Sequence, residues 1–387
     1  PAVAVCLSFH SLHSQHRGST MRTQLFSKLG VSLGIVVGLL FSQAQADDLV
    51  ERGAKLFAGA TFRGNGRTCQ TCHTKETGAL SIQQVSLLPS HDVLFQHDAA
   101  DVMGGNTFSR VRENATFLVE IDLPQNVSIA GSASRVAVLA RGVPTVYNSS
   151  ALDPVLMYDG RAPSLQLQAL DAWLGHSQIT RMPTDDDLNA VAAWEQSKIT
   201  VPALRRFIET GAAPELPKGR TAAEKRGRLF FTDDNPVNGN PIKGRCVHCH
   251  SGPMLNATSP GANAIFGIPT GTRFFSAFVS EFQLGGGTPQ TFDFRAADGT
   301  VTSITSTDPG RALITGNPAD ANAFKIPTIW NARQTAPYFH NNGAKNLDGL
   351  LNHYQQYFNF VESAAGIPGF GMSDQDKADI RAYLELL

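Results

Sequence analysis

Two short stretches of this 387-residue chain combine residue types that could do specific chemistry. Each has the pattern Cys-x-x-Cys-His, in which an imidazole directly follows the second of two closely spaced thiols. In this pattern the thiols can add across the two vinyl groups of a haem, and the histidine then reaches the iron from the same side. The predicted attachment residues are Cys69, Cys72, Cys246 and Cys249, and the predicted proximal iron ligands are His73 and His250.

Other chemistries of paired cysteines fit these stretches less well. A zinc site would use the two cysteine pairs together, and a thioredoxin-like redox pair rarely carries the trailing histidine twice. Four of the five cysteines lie in the two motifs, and the fifth, Cys6, lies near the start of the chain. The sequence therefore predicts two covalently attached c-type haems and leaves no pair of cysteines for a structural disulfide.

The segments around the motifs repeat, and they predict the elements that position each haem. Residues 52–57 (Arg-Gly-Ala-Lys-Leu-Phe) precede the first motif, and the similar residues 226–231 precede the second. After each motif, residues 184–187 and 373–376 place a hydroxyl and then a carboxylate at the spacing of a capped helix start. Each unit is therefore predicted to be a helix, a haem loop, a long variable middle and a capped helix. This is the outline of a cytochrome c domain, present twice.

The repeat also predicts how the units are built and joined. Gly53 and Gly227 occupy matching positions and are expected to let the first helix of each unit cross the last one closely. Residues 211–219 contain two prolines and are predicted to be a linker. A stretch from about 255 to 322, rich in Gly, Ser, Thr and Asn, is predicted to be a surface insertion, and alternation over 301–305 indicates a short β-hairpin in it.

We therefore expect a mainly α fold of two cytochrome c-like domains, each wrapped around one haem, at 47–213 and 214–387, with the loop-rich insertion in the second. Residues 1–46 are predicted to be an upstream extension and a cleavable signal peptide, because basic residues precede an apolar stretch and Ala44-Gln45-Ala46 is a small-x-small cleavage site. This predicts export to the periplasm. With 17% charged residues and a net charge of −1, the composition is that of a soluble globular protein and gives no sign of a nucleic-acid partner.

Four further segments resemble the signatures of one known family. Residues 324–331 (Phe-Lys-Ile-Pro-Thr-Ile-Trp-Asn) and 335–340 (Thr-Ala-Pro-Tyr-Phe-His) resemble the C-terminal signature of bacterial di-haem cytochrome c peroxidases and of their relative MauG, the methylamine dehydrogenase maturation enzyme. Residues 141–145 and 158–164 resemble the N-terminal signature. With both haem motifs in the expected order, the resemblance covers nearly all of 47–387.

This resemblance implies a division of labour between the two haems. The haem held by His73 would react with hydrogen peroxide. The haem held by His250 would store electrons and relay them from an external donor, either a small cytochrome c or a cupredoxin. Several positions depart from the peroxidase pattern, and each departure bears on the chemistry.

The sixth ligand of the C-terminal haem is the first departure. Counting from His340 to the place where the peroxidases carry a methionine leads to Tyr354, and MauG also has a tyrosine there. A phenolate is a hard anionic ligand that stabilises ferric iron and lowers the reduction potential, which is the opposite effect to that of a thioether. His353 and Met372 are alternative ligands, and Tyr354 could instead pack among the aromatic residues of its helix.

The peroxide pocket is the second departure. Counting from Tyr158 to the family's distal glutamate leads to Gln178. An amide can hydrogen-bond a peroxide but cannot take and return its proton at neutral pH. His176 could supply that proton shuttle, although a lone histidine near a haem pocket is often only structural.

The region between and beside the haems departs as well. Tyr158 replaces the tryptophan that lies between the haems in the peroxidases and MauG, so it either relays electrons or packs in the core. The peroxidases also have a second histidine that blocks the resting N-terminal haem. Pro89 stands near that place, and neither His91 nor His97 aligns cleanly with it, so we expect the N-terminal haem to be open at rest.

An inter-haem calcium ion is also implied by the resemblance, with a weakened ligand set. The family uses an asparagine side chain where this chain has Gly142. The carbonyl groups of Thr335 and Pro337 remain candidate ligands.

These features leave three functions open. The leading hypothesis is a periplasmic di-haem oxidoreductase that reacts with hydrogen peroxide, with Gln178, His176 and Tyr158 as its catalytic residues. The second is a MauG-like enzyme that oxidises residues of a partner protein, which the tyrosine at 354 favours. The third is a di-haem electron carrier without peroxidase activity, which the loss of the distal glutamate would allow.

Overall fold

The computed structural model of this protein describes residues 30–96, 108–232 and 244–387. Asp47–Leu387 form one compact unit, whose first residue is also the first residue after the predicted cleavage site. The described part is mainly helical, as predicted, and contains short antiparallel strands. None of its helices is both long enough and apolar enough to cross a membrane.

Groups of helices alternate with groups of short strands along the chain. The helices are α1 (Gly30–Gly59), α2 (Cys69–Cys72), α3 (Ile82–Ser86), α4 (Ser109–Asn114), α5 (Ser149–Leu152), α6 (Leu165–Gly175), α7 (Asp185–Gln196), α8 (Pro202–Thr210), α9 (Ala222–Leu229), α10 (Pro260–Phe266), α11 (Ala312–Thr315), α12 (Leu347–Ala365) and α13 (Asp374–Leu384). The strands are β1 (Thr116–Asp122), β2 (Val127–Ile129), β3 (Val136–Gly142), β4 (Phe274–Phe275), β5 (Gln290–Arg295), β6 (Val301–Ser306) and β7 (Phe324–Lys325).

The two predicted capped helices are α7 and α13. Thr184 accepts a hydrogen bond from the backbone N–H of Asp187 at 3.2 Å, and the Asp187 carboxylate accepts one from the backbone N–H of Thr184 at 3.0 Å. Ser373 and Asp376 form the same reciprocal pair at 3.1 and 2.9 Å. Each cap satisfies N–H groups that the first turn of a helix leaves unpaired, which contributes about 1 kcal/mol. The predicted starts of both helices are confirmed.

The predicted close crossing of the first and last helix is present in both units. A Cβ atom on Gly53 would lie 1.9 Å from the backbone oxygen of Ala190 in α7, and one on Gly227 would lie 2.0 Å from that of Asp379 in α13. No side chain fits at such distances, so α1 and α9 can approach their partner helices only at a glycine.

Each crossing is reinforced by an ion pair, although the two aspartates lie at different places in their helices. Arg52 lies 2.7 Å from Asp187, and Arg226 lies 2.7 Å from Asp379. Each arginine directly precedes the crossing glycine. The internal repeat read from the sequence is thus a repeat of packing as well as of residue types.

The predicted insertion contains the expected hairpin but is only partly at the surface. Strands β5 and β6 pair antiparallel, with Phe292 opposite Ile304, and β2 from the first half of the chain pairs with β5. Phe292 and Phe294 are fully buried with residues of β1 and β3 in one apolar cluster. The expectation of a surface insertion was therefore wrong for β5, because its alternate phenylalanines point into a core that the first half of the chain completes.

Residues 211–219, the predicted linker, contain no regular helix or strand. Helix α8, which precedes them, places Leu204 in the same buried cluster as Phe230 and Tyr383 of the second half. Residues on both sides of the predicted boundary at 213/214 therefore share one core, and that boundary stays a prediction.

Candidate haem centres

The first Cys-x-x-Cys-His motif is arranged as a proximal haem site. Helix α2 is a single turn, so Cys69 and Cys72 lie on one side of it, and His73 follows directly. The Nδ1 atom of His73 lies 2.8 Å from the backbone oxygen of Gly78, which fixes the ring and leaves Nε2 for a metal.

The second motif holds its histidine in the same way, although its cysteines lie on a 3-10 helix rather than an α-helix. Residues Cys246–His248 form a short 3-10 helix, and Nδ1 of His250 lies 2.8 Å from the backbone oxygen of Leu255. In both motifs the accepting carbonyl lies at the same spacing after the histidine. Burial lowers the pKa of His73 and of His250, so each imidazole is neutral and able to act as a ligand at neutral pH.

The four motif cysteines do not form disulfides. Burial raises the pKa of Cys246 and Cys249 to about 12, and it also raises that of Cys69. Across the described ranges, no group of three or more His, Cys, Asp or Glu side chains is placed to hold a metal ion. The arrangement fits covalent haem attachment better than zinc.

A cavity of about 400 Å³ lies against the first motif. Cys69, Cys72 and His73 line it, and so does His176. His176 lies close enough to His73 to add to the lowering of the pKa of His73, which is due mainly to burial. The structure thus brings the predicted proximal and distal histidines of the N-terminal haem to one cavity, which has room beside the attachment thiols for a flat cofactor.

His176 and Gln178 lie on opposite sides of a sharp turn at the end of α6. His176 ends the helix, and its ring packs edge-on against Phe117 at 6.3 Å. Gln178 adopts a left-handed φ of +49°, its side chain is exposed, and it is not among the residues that line the cavity. The structure therefore does not place Gln178 in a distal pocket, because the turn directs the chain away from the cavity after Ser177.

Glu195 is a cavity residue that sequence reasoning missed. It lies on α7 with 4% of its surface exposed, and its Oε2 atom has no hydrogen-bond partner in the part of the chain that the structure describes. Burial raises the pKa of Glu195 to about 8. The signal that could have revealed it is the repeat: counted from the N-caps Thr184 and Ser373, the matching residue of α13 is Leu384.

Tyr158 also lines the cavity, at the end closer to the second half of the chain. Its backbone oxygen accepts a hydrogen bond from the N–H of Lys325 in β7 at 2.7 Å. Burial raises the pKa of its phenol well above the ordinary value, so the side chain is protonated. Tyr158 thus lines the cavity and is joined through its backbone to β7, and its role as a relay stays a prediction.

A buried ion network that the sequence did not reveal holds Tyr158 in place. Arg141 in β3 pairs with Asp159, the next residue after Tyr158, at 2.5 Å and with Asp308 at 2.8 Å. All three charged side chains are almost fully buried. His340 stacks on Phe324 beside this network with ring centroids 3.6 Å apart, and burial lowers its pKa to about 4, so it is neutral.

Tyr354 lies beside the second motif. Burial raises the pKa of Tyr354, with further contributions from the adjacent Cys249 and Cys246. Of the alternative ligands, His353 has its Nε2 atom 2.7 Å from the backbone oxygen of Ala277, and its Nδ1 atom is buried with no hydrogen-bond partner in the described part of the chain. Met372 is buried in the apolar core of the second unit. The assignment of Tyr354 as the sixth ligand stays a prediction.

The remaining predictions concern the blocking histidine, for which His91 and His97 were considered, and the calcium site at Gly142. His91 is exposed, and His97 lies outside the described residues. At Gly142 a Cβ atom would lie 2.2 Å from the side-chain oxygen of Asn342, whose amide donates to the backbone oxygens of Asn114 and Ala115 at 2.8 and 3.0 Å. An asparagine side chain thus fills the space beside Gly142 from another segment, and calcium binding stays a prediction.

Comparison with known proteins places these sites in a family context. No protein-family model matches the chain. Cytochrome-c peroxidase IdrP2 of Denitromonas iodatirespirans is 25% identical over 64% of this chain and 68% of that protein. Cytochrome c551 peroxidase of Nitrosomonas europaea is 26% identical over 53% of this chain and 55% of that protein. The chain thus spans about half to two thirds of the length of these relatives.

A solved structure supports the fold. The crystal structure of a MauG-like protein associated with microbial copper homeostasis superposes with a TM-score of 0.51, at 18% identity, over 88% of this chain and 89% of that chain. Its fold is therefore similar over almost the whole of both chains. The sequence is thus similar to those of bacterial cytochrome c peroxidases, and the fold is similar to that of a MauG-like protein, in line with the resemblance seen in the motifs.

Proposed function

We propose that the protein is a periplasmic di-haem enzyme that reduces hydrogen peroxide at the haem held by His73. The observation that carries this proposal is the single cavity lined by the attachment motif, by His73 and by His176. The predicted signal peptide supports export, and haem attachment through Cys-x-x-Cys-His fits that compartment. Electrons would come one at a time from a small cytochrome c or a cupredoxin.

When bound, each haem would supply an iron that changes oxidation state. His73 holds the proximal side with its ring fixed by Gly78. His176 takes a proton from one peroxide oxygen and returns it to the other, so that the O–O bond breaks with water as the leaving group. Overall, one peroxide, two electrons and two protons give two water molecules.

The second unit supplies the electrons in this proposal. His250 and Tyr354 would hold the second haem, and Tyr354, whose phenol would lose its proton on binding the iron, would keep the reduction potential of that haem low. Tyr158 lines the cavity and is protonated, so its oxidation as a relay would be coupled to the release of its phenolic proton.

The proposal is tested by the second-order rate constant for hydrogen peroxide, measured by stopped-flow absorption on the haem-loaded protein. His176→Ala should lower it by roughly 100-fold or more, the usual contribution of a positioned acid–base group. Gln178→Leu is the matched control two residues away, and it should stay within about twofold of the parent, as surface positions do. An unchanged rate in His176→Ala would refute the assignment, and a parent protein that does not react at all would indicate an electron carrier.

A MauG-like activity on a partner protein is the second candidate, and the position of Tyr354 beside Cys249 favours it. The distinguishing measurement is the absorption spectrum of the fully oxidised protein after peroxide is added without any reductant. A MauG-like enzyme should react in this state, whereas a peroxidase of the usual kind needs prior reduction of one haem. Tyr354→Met should make the reaction with peroxide depend on prior reduction of one haem, as in a usual peroxidase.

A further inference from the structure

The loop that leads into the first haem motif holds the turn that carries His176. The side-chain amide of Asn65 donates to the backbone oxygen of His176 at 2.9 Å, and the guanidinium of Arg67 donates to the same oxygen at 3.1 Å. The backbone N–H of Asn65 also donates to the backbone oxygen of Ser177 at 2.8 Å. A Cβ atom on Gly64 would lie 2.0 Å from that second oxygen, so the two segments are in direct backbone contact.

Arg67 also connects this loop to a third segment of the chain. Its side chain is 1% exposed, and its guanidinium donates not only to His176 but also to the backbone oxygens of Leu94, at 2.9 Å, and of Gln96. The guanidinium also lies over the ring of Phe117 at 5.7 Å, the same ring that packs against His176. Arg67 therefore joins three segments at the wall of the haem cavity.

We propose that Arg67 is the positioning residue for His176. Arg67 lies two residues before Cys69, so the segment that is tied covalently to the haem would also set the place of the imidazole on the other side of the cavity. The guanidinium presents its donors in a fixed plane and spreads them over two terminal nitrogens, which suits carbonyl groups from separate segments better than the single nitrogen of a lysine. The inference rests on the proposed function, in which His176 is the distal group.

The test is a double-mutant cycle on the haem-loaded protein, with the stopped-flow rate constant for hydrogen peroxide as the readout. Arg67→Lys keeps the charge but not the fork, and it should lower the rate constant roughly 10- to 100-fold, since a misplaced catalytic group costs about that much. Asn65→Ala removes one of the two bonds to the His176 oxygen and should have a smaller effect in the same direction. In the His176→Ala background, Arg67→Lys should have no further effect, because its action passes through His176.

Arg135 provides a matched control. It too donates to three backbone oxygens, those of Leu123, Pro124 and Val127, but it does not line the cavity. Arg135→Lys should therefore leave the rate constant at the parent value. The absorption spectrum of the oxidised N-terminal haem is the second readout, and it should change in Arg67→Lys and stay unchanged in Arg135→Lys.

Three outcomes separate the two proposals. If His176→Ala is slow and Arg67→Lys is as fast as the parent, the positioning role is wrong and the distal role stands. If Arg67→Lys slows the reaction equally in the parent and in the His176→Ala background, Arg67 acts on the site by another route, and the positioning role is again wrong. If His176→Ala is as fast as the parent, the proposed distal role itself fails.

Discussion

Glu195 and Leu384 occupy equivalent places in two equivalent helices, yet one is an acid and the other a hydrocarbon. Leu384 is buried in the second core, which shows that the helix crossing does not need a carboxyl group at this place. Burial raises the pKa of Glu195 from an ordinary 4.5 to about 8, so the folded protein holds this group neutral at a pH where the unfolded chain ionises it.

Replacing Glu195 with leucine should therefore remove a pH dependence from the free energy of unfolding. Between pH 4.5 and about 8 the folded protein binds the proton more tightly than the unfolded chain, so the stability of the parent should fall as the pH rises. The slope should approach about 1.4 kcal/mol per pH unit. Denaturant titrations of the haem-loaded protein across this range should show a flatter profile for Glu195→Leu and higher stability at pH 8.

Glu209→Leu is the control for this measurement, because Glu209 is exposed on α8 and should leave the slope unchanged. Parallel profiles for the parent and Glu195→Leu would show that the carboxyl group is not held neutral in the folded state.

At the scale of elements, the crossing of α1 with α7 depends on one missing side chain. Gly53→Ala should destabilise the protein by about 2 kcal/mol or more, since the new methyl group would collide with the backbone of Ala190 and overpacking outweighs the better helix propensity of alanine. Gly59→Ala, at the end of the same helix, meets nothing within 4 Å and should be neutral or slightly stabilising. Thermal unfolding of the two variants measures the contrast, and equal effects would contradict a close crossing.

The elements that sequence reasoning found are those whose signals are local. The caps at Thr184 and Ser373 lie within four residues of their partners, and the repeat fixed which helices match. The burial of strand β5 was not predicted, because Phe292 and Phe294 lie in a stretch rich in glycine and threonine and are buried by strands that are distant in the sequence. Gln178 was assigned by counting along a family pattern, and counting cannot detect a turn that directs the side chain outward.

For the whole molecule, the network of Arg141, Asp159 and Asp308 ties the first half of the chain to the second. Nothing in the local sequence selects these partners, which is why the network was not predicted. Arg141→Met should destabilise the protein by about 3–5 kcal/mol, because it leaves two buried carboxylates without their shared cation.

Arg381→Met is the matched control, since Arg381 pairs with Asp348 at the same kind of distance, 2.7 Å, but both side chains are about half exposed. It should cost less than about 1 kcal/mol. Chemical denaturation followed by haem absorption compares the two variants. Similar losses of unfolding free energy in both variants would mean that burial does not increase the contribution of the network to stability.

The pairing of β2 with β5 can form only late in synthesis, because the two strands are far apart in the chain. Strand β2 ends at Ile129, but its partner strand begins only at Gln290, so the first half is synthesised well before its sheet can close. Contacts between such distant segments form slowly, because the chain between them must be ordered first. In the newly made first half, Ile121 and Leu139 are therefore exposed and prone to aggregation until Phe292 packs against them.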